Sequence, residues 1–270
     1  MVAGCVHTAA LDRREAVDDS AGHFIVRHAE IDDGAAQQIS TALRHAGPQL
    51  SMWGVLGVPV VVTVEPSHDA LERAVDRRGY GWLRAWARYR EVFVQSPRTW
   101  GLLAADQGAV DELLTHELTH CLMYQLAAGE SDWSTRGIPL WFREGLASFT
   151  AGQGYRRGTL ESLATFYDAG RGDPIAQGEA LYQRQSEVVY GAAHLAFTFL
   201  VQRYGIEAVR ALLARMHAGA GFDAAFAQAV GLSRTAFERD FATYVRLRGF
   251  MGAPVPPAVK QASAAAGSAP

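Results

Sequence analysis

In His116-Glu117-Leu118-Thr119-His120, residue types and spacing together specify a chemistry. On a helix, positions i and i+4 point the same way with Cβ atoms about 5–6 Å apart, so two imidazoles can grip one tetrahedral zinc ion. Glu117 is rotated by about 100° from His116 and can face a water from beside the ligands. The three polar groups interrupt an apolar stretch that holds Val110, Leu113, Leu114, Leu118, Leu122 and Met123. Buried without partners they would be strongly destabilising, so something must satisfy them. The bland alternative is a surface helix whose histidines are solvated.

A second stretch, Trp141-Phe142-Arg143-Glu144-Gly145-Leu146-Ala147, lies at the start of another predicted helix, beyond a short loop. A loop of that size can return the Glu144 carboxylate to the first helix. Two imidazoles and one carboxylate leave zinc's fourth position open for water, the arrangement of catalytic and not of structural sites. Glu144 as an exposed acid at a helix N-terminus, favoured by the macrodipole, is the alternative.

The elements that would position these groups follow from periodicity and punctuation. Strands are predicted near 24–30, 58–64 and 91–95, the second being a β-branched run bounded by Gly57 and Pro66. Helices are predicted over 33–46 and 67–76, then a long one over 108–127 and another from Pro139 to about 151. Further helices are expected near 159–168, 186–204, 206–218, 222–230 and 233–247. Residues 1–22 read as a poorly ordered, flexible lead-in, and 251–270 as a disordered Ala/Pro/Ser-rich tail. The fold class is therefore α+β, with a small mixed sheet and helices in an N-terminal lobe (about 23–128) and a helical C-terminal lobe (about 138–250).

Composition narrows the function. The formal charge is −3, and the arginines at 77, 78, 84, 88 and 90 are diluted by Trp and Ala, so no nucleic-acid role is expected. No apolar run approaches the roughly 20 residues of a membrane-spanning helix. Two cysteines, Cys5 and Cys121, make a disulfide framework unlooked for. Val2-Ala3-Gly4-Cys5 resembles a bacterial lipobox, which would make Cys5 a lipid anchor if a signal segment lies upstream; a cell-envelope or secreted location and a cytoplasmic one both stay open. Gly152-x-Gly154-x-x-x-Gly158 misses the dinucleotide fingerprint, and Trp82, Trp86 and Trp100 read as core or groove wall. Oligomeric state has no signal in the sequence.

The pair of stretches, His116–His120 and Pro139-Leu140-Trp141-Phe142-Arg143-Glu144-Gly145-Leu146-Ala147, resembles the gluzincin metallopeptidases, and more narrowly the peptidase MA-like bacterial proteins. The likeness covers about residues 24–248 and is strongest at 113–150. It implies a thermolysin-like arrangement with Zn2+ held between the lobes by His116, His120 and Glu144, and with Glu117 as general base. It implies a hydrolase, a metalloprotease acting on peptide or protein substrates. Some gluzincins carry an acid one turn after the ligand glutamate; here that position is Ser148. The family also supplies a Tyr or His to stabilise the oxyanion, for which Tyr190 and then His194 are the candidates, although either could be core. The strand at 91–95 is expected to offer an exposed edge to an extended peptide. The rival reading is a non-catalytic zinc-binding or envelope-tethered binding module on the same scaffold, which would have no use for the Glu117 carboxylate.

Overall fold

The computed structural model describes residues 11–156 and 158–250. The lipobox-like Val2–Cys5 stretch and the expected tail at 251–270 lie outside the described residues. The chain folds as α+β, with a five-stranded mixed sheet in its first part and helices from residue 107 onwards.

The strands are β1 (Arg13–Asp19), β2 (Gly22–His28), β3 (Val60–Glu65), β4 (Ala85–Ala87) and β5 (Glu91–Gln95), arranged β1-β2-β3-β5-β4. The middle strands β2, β3 and β5 run parallel, and β1 and β4 close the two edges antiparallel. β3 lies at the centre and is covered on both faces, which is why it reads as a nearly unbroken Val run and not as an alternation.

Both edge strands depart from expectation. Residues 13–19, read as part of a poorly ordered lead-in, form β1, joined to β2 by a two-residue turn at Ser20-Ala21. Only Val17 of β1 is buried; Arg13, Arg14 and Asp18 are exposed, as edge strands commonly arrange, whereas Glu15 turns inward to accept the Ser40 hydroxyl at 3.2 Å. β5 is not an edge: β4 pairs along its outer side, with Ala85 opposite Val94 and Ala87 opposite Val92. A three-residue Ala-Trp-Ala strand is too short to show a period of two, so its ladder to β5 is invisible in the sequence.

The helices are α1 (Asp33–His45), α2 (Gly47–Leu50), α3 (His68–Val75), α4 (Gln107–Ala127), α5 (Leu140–Thr150), α6 (Leu160–Asp168), α7 (Gly178–His217), α8 (Phe222–Val230) and α9 (Arg234–Phe250). α7 is interrupted by non-helical backbone at Gln185 and Gly205, so the expected pair at 186–204 and 206–218 forms its second and third segments. Its first segment, from Gly178, was not expected. On one face of the sheet α3 covers a small cluster of Leu71, Val75 and Leu83. On the other, α1 and α4 pack over Val26, Val62 and Val92. This main core continues through Leu118 and Trp141 to Phe197 and Phe241, so residues on both sides of the expected lobe boundary share one apolar interior. No helix among the described residues is long and apolar enough to cross a membrane.

Candidate metal centre

α4 begins where the Asp106 carboxylate accepts the Ala109 N–H at 2.9 Å, an N-cap. Near its other end Gln125 is buried, and its Oε1 accepts the N–H groups of Gly57 (2.8 Å) and Val58 (3.1 Å) just before β3. Those bonds lock the helix to the sheet in rotation as well as position. The i, i+4 pair then points into one space: His116 and His120 are both buried, with their Nε2 atoms 3.2 Å apart.

α5 brings the third group. Gly145 is required there because a Cβ at that position would stand 2.5 Å from the Ala193 carbonyl oxygen and 2.6 Å from the Phe197 Cβ of α7. With no side chain in the way the α5 and α7 backbones nearly touch, and the adjacent Glu144 is pressed toward α4. Its Oε2 lies 3.4 Å from His116 Nε2 and 3.7 Å from His120 Nε2. The three donors form a group that could hold a metal ion, the sole such cluster of His, Cys, Asp and Glu among the described residues.

The two carboxylates beside the imidazoles have opposite electrostatics. Burial alone would raise the Glu144 carboxyl, but the charges and hydrogen bonds of His120 and His116 outweigh it and hold the group well below the usual carboxylate range. Glu117 is pushed up to about 7, first by burial and then by the Glu144 charge, while His116 and a hydrogen bond from the Ala87 backbone oppose the rise. One carboxylate is fixed as an anion, and its neighbour is poised to exchange a proton near neutrality.

Around the donors, His116 Nδ1 stands 3.1 Å from the Oε1 of Gln153, which is buried in a 3-10 turn at Gln153–Arg156. Gln153 was not anticipated from the sequence, where an amide nine residues beyond Glu144 obeys no spacing rule. Ser148 is buried one turn past Glu144 and bonds the His194 Nδ1 at 3.1 Å.

The cluster opens on a cleft of about 530 Å³. Glu117 and Tyr190 line it together with the three donors, and Ala85 and Ala87 of β4 form part of its wall. Tyr190 hydrogen-bonds Tyr182 (3.1 Å between hydroxyls), and its phenol is held well above the ordinary value by burial and by the Glu144 charge. His194 is not among the cleft residues; it lies behind α5, against Ser148 and Gly154. An edge-to-face series, Tyr80–Trp82–Tyr182–Tyr190, spans the cleft with ring centroids 5.7–6.0 Å apart. Trp82 and Trp86 therefore serve as groove wall, whereas Trp100 packs on the core and donates to the Gln95 carbonyl. Cys121 is buried and faces the Arg88 carbonyl, as packing demands.

No protein-family model matches this chain, and a search of curated proteins finds no match to it.

Proposed function

We propose that the chain is a zinc-dependent peptidase of gluzincin type, with His116, His120 and Glu144 as metal ligands. The observation that carries this reading is the convergence of the three donors on a cleft that also holds Glu117. Ligands about 2.0–2.1 Å from a tetrahedral zinc lie about 3.3–3.4 Å from one another. The separations of 3.2, 3.4 and 3.7 Å suit that ion with little adjustment. The donor set, two imidazoles and a carboxylate held ionised, is one that zinc favours, and it leaves a coordination position open.

When bound, zinc would polarise a scissile carbonyl and make water a nucleophile near neutral pH. Glu117, buried beside the donors, takes the proton of the attacking water and returns it to the leaving amine. Tyr190 donates its hydroxyl hydrogen to the oxyanion, and burial keeps that proton in place. His194, which bonds Ser148 and lies against Gly154, is given no role in this reading. An extended peptide would pair with the outer edge of β4, not of β5, and pass Ala85 and Ala87 on its way to Glu117.

The test is digestion of a mixed peptide library by the zinc-loaded protein and by Glu117→Gln. Cleavage by the wild type alone, with equal zinc in both, supports the peptidase. Zinc in both with cleavage by neither would favour a non-catalytic zinc-binding module instead.

A further inference from the structure

We propose that Gln153 is the positioning residue for the ligand His116, and that it does with a neutral amide the work an acid would do from position 148. The inference rests on the zinc-site reading and concerns how that site is oriented.

A neutral imidazole carries one N–H, and the nitrogen that carries it cannot bind a metal. His116 Nδ1 stands 3.1 Å from Gln153 Oε1, an oxygen that can only accept. With an ion bound, the acceptor would keep the proton on Nδ1 and leave the Nε2 lone pair, on the side of His120 and Glu144, free for the metal. His120 has no such support: its Nδ1 is buried without a hydrogen-bond partner, and its ring lies stacked on Tyr124 at 6.3 Å. The amide orients His116 without adding a third negative charge beside Glu117 and Glu144.

The turn that carries Gln153 is itself braced. A Cβ on Gly154 would stand 2.8 Å from His194 Nε2, so the bare glycine lets the turn sit directly against that ring. On its other nitrogen the ring meets Ser148 Oγ at 3.1 Å. Ser148 thus supports the centre at one remove, through His194 and the turn, and the residue that reaches His116 comes from further along the chain.

Zinc dissociation constants, measured by competition with a chromogenic chelator for wild type, Gln153→Met and Gln153→Glu, test the proposal. Gln153→Met keeps the bulk and removes the acceptor, and should weaken zinc binding roughly 10–100-fold. Gln153→Glu restores an acceptor and should bind at least as tightly as wild type. In the cobalt-substituted protein, the visible absorption band should change in Gln153→Met and persist in Gln153→Glu. A merely structural residue would lower the metal-free unfolding midpoint of both variants without separating their affinities. Wild-type affinity in Gln153→Met, or equal weakening in the two variants, overturns the proposal. Should Gln153→Met fail to fold, Gln153→Glu decides alone: binding weaker than wild type overturns it. A wild type that binds no zinc overturns the site reading as well, whereas a zinc-binding wild type with an indifferent Gln153 overturns only this inference.

Discussion

At the scale of single residues, the two acids of the cleft differ in what their environment asks of them, and Glu117 gives the cleaner test. Its folded-state value of about 7 exceeds the ordinary 4.5, so burial favours the protonated form. The associated stability is fully present below pH 4.5 and is lost as pH rises through 7, where the folded chain must ionise a buried group. Glu117→Gln removes that dependence. With metal stripped, the variant should gain on the wild type between pH 4.5 and 8, by on the order of 3 kcal/mol, as read from urea denaturation at several pH values. Glu144 works in the opposite sense but is common to both proteins. Parallel stability–pH curves would remove the claim that Glu117 is strained toward its neutral form. For Tyr190, Tyr190→Phe should lower kcat roughly 10²–10³-fold while zinc content and KM stay close to wild type, the signature of a lost oxyanion donor. A KM effect alone would make Tyr190 part of the cleft wall.

At the scale of elements, the proposed centre depends on how closely α5 can approach α7. Gly145→Ala should destabilise the fold by about 1–3 kcal/mol, because its methyl would meet the Ala193 carbonyl at 2.5 Å. It should also weaken zinc binding, since Glu144 is the next residue; calorimetric unfolding and metal titration measure the two effects, and wild-type values for both would show that the approach is not tight. The helices carrying the centre were legible in the sequence because each has punctuation and a period: Pro139 before α5, and the 3.6-residue recurrence of Val110, Leu114 and Leu118 in α4. The two histidines were legible because i, i+4 spacing is a property of the helix itself, and Glu144 because it opens the next punctuated helix after a short loop. What escaped were features made only by tertiary contact. β1 has one buried residue and β4 has three residues in all, so neither shows a pattern without its partner strand. Gln153 meets His116 only because α5 and its following turn fold back over α4. Ser148 bonds a histidine on α7, which no local rule could have indicated.

At the scale of the molecule, the proposed metal would tie α4 to α5 at the floor of a cleft whose walls come from β4, the 77–86 segment and α7. An ion bound only by the folded chain adds to global stability by mass action. Free zinc at a thousand times its dissociation constant should stabilise the protein by about 4 kcal/mol, and chelation should reverse this; an unfolding midpoint indifferent to zinc would speak against a site that spans two helices. Zinc content, measured on protein purified in chelator-free buffer and reloaded, bears most directly on the whole account. Stoichiometric zinc is expected in the wild type and in Glu117→Gln, and its loss from a His120→Ala, Glu144→Ala double variant that still folds. A metal-free wild type after reloading, or zinc retained in full by the double variant, would contradict it.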